Sequence, residues 1–159
     1  MSKFFRIIID TNVSDYAQPN EEFYQQSLGK VTLVEACKQR QIQYLSRQTV
    51  EVELDDSGGL IFPDFMFYED VLLVSEAAYD IFCEVYLPFE KPVILTFAAL
   101  GLREKYHLLL PPQVRSLDEA GNYRVFALET AQVVVDYDLR KAIERAGLSN
   151  IRFVEMEER

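Results

Sequence analysis

Residues 71–86 read VLLVSEAAYDIFCEVY and predict a strand that passes directly into a helix. Val71–Val74 is a short apolar run, which is typical of a buried strand. Ser75 is a favourable N-cap, and Glu76 follows it at the positive end of the helix dipole. The helix is expected to run to about Tyr86. The residues on its buried face are expected to be Ala78, Phe82 and Val85.

Further strand-like segments lie on both sides of this strand–helix unit. They are Phe4–Ile9, Thr49–Leu54, Pro92–Phe97, Tyr106–Leu110, Tyr123–Leu128, Gln132–Val135 and Ile151–Val154. Most are rich in β-branched or aromatic residues and are separated by turn residues. A last helix is expected to be capped by Asp138, with Gly147 at its C′ position. Residues 21–43 are compatible with a helix or a strand, and the pattern leaves both open.

The order of these segments predicts the fold class. About seven short strands and two or three helices follow one another without regular βα alternation, which favours an α+β fold with a mainly antiparallel or mixed sheet. A length of 159 residues fits one domain, 1–159, that buries its own core. Hydrophobic residues make up 49% and charged residues 26% of the chain, as in an ordinary globular protein.

Charge and hydropathy limit the classes of partner. Asp and Glu number 26 and Lys and Arg 16, which gives a net charge of −10 at pH 7. This balance argues against direct binding to nucleic acid, which requires a basic surface. No apolar run is long enough for a membrane span, and Phe4–Ile9 is too short for a signal peptide. We therefore expect a cytoplasmic protein without membrane contact, with Cys37 and Cys83 as free thiols.

Motifs for catalysis or cofactor binding are scarce. The only histidine, His107, lies in a predicted strand, and a Cys-His or Ser-His pair would have to recruit it. The sequence contains no HExxH, P-loop or GxGxxG motif and no clustered Cys/His pattern, so neither a cofactor nor a metal is predicted. One segment remains as an enzyme candidate: residues 7–13, IIIDTNV, in which Asp10 ends a predicted strand.

This segment resembles the opening of PIN-domain ribonucleases, in which carboxylates at strand ends hold the metal that activates water. The resemblance implies that Asp10 acts together with Asp136 or Asp138. The middle of the chain argues against it, because strands, prolines and turns stand where that family has mostly helices. A metal-dependent ribonuclease is therefore the alternative hypothesis for the function.

The negative charge is concentrated in residues 48–90, which contain no Lys or Arg. The eleven acids there are Glu51, Glu53, Asp55, Asp56, Asp64, Glu69, Asp70, Glu76, Asp80, Glu84 and Glu90. The aromatic residues of the same window are Phe62, Phe65, Phe67, Tyr68, Tyr79, Phe82, Tyr86 and Phe89. Aromatic side chains anchor protein interfaces, and acids speed association with a basic partner. A solvated acidic face over a well-filled core explains the same composition without any partner.

A series of short motifs between about Leu60 and Met156 resembles an immunity-protein family of bacterial polymorphic-toxin systems, the eleventh in the usual numbering. The matching segments are Phe62-Pro63-Asp64-Phe65, Leu72-Leu73-Val74-Ser75-Glu76, Leu87-Pro88-Phe89, Tyr106-His107-Leu108-Leu109, Ser116-Leu117-Asp118, Ala146-Gly147-Leu148 and Ile151-Arg152-Phe153. Residues 1–50 match poorly and are not assigned. The glycine that the family has before its last strand is replaced here by Ser149-Asn150.

The resemblance implies a small cytoplasmic protein that binds and neutralises a cognate toxin without catalysing a reaction. It brings no catalytic residues with it. A basic toxin domain would complement the acidic window, and the predicted contacts are its loop residues. These are Asp55, Asp56, Asp64, Tyr68, Glu69 and Asp70. Neither the toxin's activity nor the oligomeric state follows from the sequence.

Overall fold

The protein is described here by a computed structural model, which covers residues 3–10, 16–17, 19–54, 59, 61–85, 89–97, 100–128, 132–148 and 150–157. The strands are β1 (Phe4–Ile9), β2 (Val50–Glu53), β3 (Phe65–Tyr68), β4 (Val71–Ser75), β5 (Glu90–Phe97), β6 (Leu102–Leu109), β7 (Gln113–Val114), β8 (Val125–Leu128), β9 (Gln132–Asp136) and β10 (Ile151–Met156). The helices are α1 (Glu21–Tyr24), α2 (Leu33–Lys38), α3 (Glu76–Cys83) and α4 (Tyr137–Arg145). The α+β class is confirmed, although with four helices and two sheets.

The two sheets have five strands each and are both mixed. The first has the order β10-β1-β9-β8-β7, and only β7 runs parallel to its neighbour. The second has the order β2-β5-β6-β4-β3, and only β2 runs parallel to its neighbour. The first sheet therefore combines strands from both ends of the sequence, whereas the second is built from residues 50–109.

A shared core joins the two sheets. Phe5 and Val135 of the first sheet pack with Leu72 and Val74 of the second, and α3 and α4 add buried residues such as Phe82. On its other face, the second sheet buries a separate cluster. That cluster includes Leu33, Val34, Cys37, Leu73, Val93 and Leu95.

Two short helices, α1 and α2, form within the ambiguous residues 21–43, and their caps help to explain the outcome. The side chain of Asn20 accepts the Phe23 N–H at 3.1 Å at the start of α1. The hydroxyl of Thr32 accepts the Glu35 N–H at 3.2 Å at the start of α2. A β-branched residue that favours a strand by composition thus serves here as an N-cap.

Helix α3 begins as predicted and ends earlier than expected. Ser75 caps it by accepting the Ala78 N–H at 3.3 Å, and Ala78 and Phe82 are buried. The last helical residue is Cys83, whereas the expected end, Tyr86, lies outside the described residues.

The predicted cap of the last helix is wrong by two positions. Asp136, not Asp138, has the extended backbone of an N-cap and accepts the Leu139 N–H at 2.8 Å. Asp138 lies in the first turn of α4, where its negative charge interacts favourably with the positive end of the helix dipole. Gly147 has the expected left-handed φ of +68° at the helix end.

Strand β3 was missed by the sequence analysis, and Asn150 secures its outer edge. The Phe65 N–H donates to Asn150 Oδ1 at 3.3 Å, and Asn150 Nδ2 donates to the Phe65 carbonyl at 2.8 Å. Asn150 has φ +64°, a conformation in which glycine and asparagine are favoured. Asparagine thus stands where a glycine was expected, and its side chain links the two sheets.

Candidate partner-binding surface

Three of the predicted contact residues meet at one turn. Tyr68 ends β3 and pairs with Val71, so Glu69 and Asp70 form the two-residue loop of the β3–β4 hairpin. Glu69 is exposed, while Tyr68 and Asp70 are half-buried. Glu69 has φ +49°, a conformation that tight hairpin turns require. We call Tyr68, Glu69 and Asp70 the hairpin tip.

Tyr68 is held against the N-terminal helices. Its ring stacks on Tyr24 with centroids 4.1 Å apart and an interplanar angle of 10°. Its hydroxyl accepts from Gln25 Nε2 at 3.4 Å. Burial, followed by the proximity of Tyr68, raises the pKa of Tyr24, so its phenol is neutral at physiological pH. Tyr68 therefore contributes packing as well as surface.

The charge of Asp70 is partly balanced by Arg40, which follows α2. Burial lowers the pKa of the Arg40 guanidinium, while Cys37 and Asp70 raise it. Arg40 Nε and Nη1 are buried without a hydrogen-bond partner among the residues that the structure describes. Glu69 is therefore the carboxylate of the hairpin tip that is most available to a partner.

Asp64 lies at the other end of β3 and has a structural role. Its Oδ1 accepts the Ser75 hydroxyl at 2.7 Å, and its carbonyl accepts the Ser75 N–H at 2.8 Å. Because a strand rises about 3.3 Å per residue, Asp64 is about 16 Å along the chain from Glu69. The structure does not bring it to the hairpin tip, and Asp55 and Asp56 lie outside the described residues.

The acids and rings of residues 48–90 separate in the fold instead of forming one mixed surface. Phe65, Phe82 and Phe89 are buried, and Phe62, Phe67, Tyr68 and Tyr79 are partly buried. Among the described residues of this window, the exposed acids are Glu51, Glu53, Glu69, Glu76, Asp80 and Glu84. The last three share one face of α3, which their i, i+4, i+8 spacing in the sequence already indicates. The sequence analysis missed this acidic helix face.

Two basic residues of β6 offset part of this charge. Arg103 lies 3.5 Å from Glu51, and Lys105 lies 3.7 Å from Glu76. All four side chains are largely exposed, so these ion pairs are weak and screened by salt.

The carboxylates of the ribonuclease alternative are not brought together. Strand β1 runs antiparallel to β9, with Phe4 opposite Asp136, so Asp10 lies six residues further along β1. This separation is about 20 Å. Asp136 instead binds Arg124 at 2.8 Å, and the hydrogen bond raises the pKa of Arg124. Asp138 follows at the same end of β9 as Asp136, far from Asp10.

His107 occupies a buried polar site that the sequence analysis did not anticipate. It is 3% exposed, its Nδ1 contacts the Glu90 carboxylate, and Tyr79 stacks on its ring at 3.8 Å. Its Nε2 has no partner among the described residues. A hydrogen bond with Cys83, with burial, raises the pKa of Tyr79 to about 12.

Neither cysteine forms a disulfide, and the described residues contain no group of three or more His, Cys, Asp or Glu that could hold a metal ion. Within the same residues, none of the helices is both long and apolar enough to span a bilayer. The chain matches no protein-family model and no curated protein.

Proposed function

We propose that this chain is a non-enzymatic, immunity-type protein that binds a basic toxin domain in the cytoplasm and neutralises it. The observation that supports this most directly is the exposure of acids from residues 48–90 on β2, the hairpin tip and α3. Exposed charges of one sign attract a partner of the opposite charge and speed their encounter. The motif order between residues 60 and 156 supports the immunity class.

Glu69 is the proposed primary contact of the hairpin tip. It is exposed in a two-residue turn, whereas Asp70 is half-buried near Arg40 and Tyr68 is stacked on Tyr24. A basic side chain of the partner can therefore approach Glu69 without disturbing the packing beneath it. Asp64 has a lesser part in this interface because its carboxylate is engaged by Ser75.

The test uses the product of the adjacent open reading frame as the partner. Glu69→Lys should slow its association about fivefold at low salt and flatten the salt dependence of the rate, since a rim charge acts mainly on the encounter. Lysine is no more strained than glutamate at this φ, so the fold is preserved.

The matched control is Glu157→Lys, which makes the same change of charge at an exposed residue just after β10. Equal rate changes in both variants would show that net charge, not the hairpin tip, sets the association. If the wild-type protein neither binds this gene product nor suppresses its toxicity, the proposed function is wrong.

A further inference from the structure

A cavity of about 490 Å³ lies where the end of α3 meets the chain that leads into β8. Glu84 and Val85 line it from the helix side, and residues 119–125 line it from the other side. Its volume is within the range of about 300–1,000 Å³ that is usual for ligand sites. Of the contact residues predicted from the sequence, none of those that the structure describes lies in it.

The walls of this cavity combine apolar surface with two carboxylates. Val125 is buried, Val85 is half-buried, and Tyr123 is exposed. Glu84 lies at the C-terminal end of α3, where the helix carbonyls carry partial negative charge. The Glu119 carboxylate is oriented by the Arg115 N–H, which donates to its Oε2 at 3.0 Å.

Arg124, the basic residue among the described residues that line the cavity, does not cancel this charge. Arg124 also lines the cavity, but its guanidinium donates to Asp136 at 2.8 Å. That ion pair leaves Glu84 and Glu119 as the excess charges of the cavity. Its electrostatics therefore favour a cation, and its apolar walls favour a cation on an aliphatic stem.

We propose that this cavity receives an arginine or lysine side chain of the protein partner. The inference rests on the proposed function and deepens it, because it assigns to the basic partner a second contact in addition to the hairpin tip. The aliphatic stem of the incoming residue lies against Val85 and Val125. Its charged end lies between Glu84 and Glu119, within reach of the Tyr123 ring. The remaining volume accommodates a neighbouring residue of the partner.

The first experiment uses butylguanidinium as the probe and butylurea as its neutral isostere. Amide NMR spectra of the ¹⁵N-labelled protein should show saturable shifts at Gly121, Asn122 and Val125 with butylguanidinium. Butylurea should bind at least about fivefold more weakly, because it lacks the charge that the two carboxylates recognise. Equal shifts with both probes, or shifts that do not localise to residues 119–125, would overturn the proposal.

Variants then test the two carboxylates. Glu84→Gln combined with Glu119→Gln keeps the shape of the cavity and should weaken both butylguanidinium and the partner by at least about fivefold. The matched control, Glu155→Gln combined with Glu157→Gln, removes the same charge at two exposed residues outside the cavity and outside residues 48–90, and should leave butylguanidinium binding unchanged. A similar loss in both double variants would show that only net charge matters.

These outcomes separate the cavity from the proposed function. Neutralisation of the adjacent gene product by a protein that does not bind butylguanidinium would overturn the cavity proposal alone. Selective binding of butylguanidinium by a protein that does not bind this gene product would overturn the proposed function and its partner, and leave only a cation site.

Discussion

The two ends of β3 carry acidic residues that the sequence presents as one cluster, yet the fold uses them differently. At the first end, Asp64 is hydrogen-bonded to Ser75 and supports the start of α3. At the other end, Glu69 is exposed on a turn. The hydrogen-bond donors around a carboxylate, and not its neighbours in sequence, therefore decide whether it is structural or free to meet a partner.

The largest effect on stability is expected at Cys37, a buried residue of α2 near Asp70 of the hairpin tip. Burial raises the pKa of Cys37 to about 12, and nearby Arg40 lowers it while Asp70 raises it. Between about pH 9 and 12 the unfolded chain loses this proton and the native state keeps it. The free energy of unfolding should therefore fall by up to about 4 kcal/mol as the pH rises through this window.

Urea unfolding at pH 8 and pH 12 measures this effect in the wild-type protein and in Cys37→Ala. The variant should lose less stability between the two pH values, because it lacks the buried thiol. The tyrosines contribute equally to both proteins. The same pH dependence in both proteins would show that the Cys37 thiol is not shielded from solvent. The residues beneath the hairpin tip would then not be tightly packed.

A somewhat smaller effect on stability is expected at the other end of β3, where Asn150 links the two sheets. Asn150→Ala should lower the free energy of unfolding by about 3 kcal/mol, because it removes two hydrogen bonds to Phe65 and places alanine at φ +64°. Asn150→Gly removes the same bonds without the strain and should cost about 1 kcal/mol less. Thermal or urea unfolding distinguishes them; equal costs would show that the backbone at residue 150 is not strained.

The smallest effects on stability are expected for Asp64→Ala and Glu69→Ala. They test directly whether the two ends of β3 differ in role. Asp64→Ala should cost about 1.5 kcal/mol, since it removes the acceptor of the Ser75 hydroxyl, whereas Glu69→Ala should change stability by less than about 0.5 kcal/mol. In a double-mutant cycle, Asp64→Ala and Ser75→Ala should couple by at least about 0.5 kcal/mol. If Glu69→Ala were as destabilising as Asp64→Ala, the two ends would not differ in role.

Local signals explain what the sequence could predict of the fold. Ser75 and Gly147 marked helix ends correctly, because a cap acts through backbone groups within a few residues. Asp136 and Asp138 were confused because either can cap, and the choice depends on where β9 ends. Strand β3, FMFY, was missed because it lacks alternation, and its partner Asn150 is 85 residues away.

The candidate site was less predictable than the helix ends, because it depends on contacts between residues that are far apart in the sequence. Tyr68, Glu69 and Asp70 meet because they are consecutive in the sequence. Their surroundings, Tyr24 and Arg40, come from a segment whose helices the pattern left open. The cavity needs the end of α3 to meet residues 119–125, and no local pattern encodes that encounter.

The pairing of β10 with β1, together with the grip of Asn150 on Phe65, has a consequence for the order of folding. Strands β3 to β6 are close in sequence and can pair early, whereas β1 must wait for a segment that is synthesised about 140 residues later. Until β10 arrives, two edges remain open to unwanted pairing, one in each sheet. We therefore expect the nascent chain to be most prone to aggregation just before β10 leaves the ribosome.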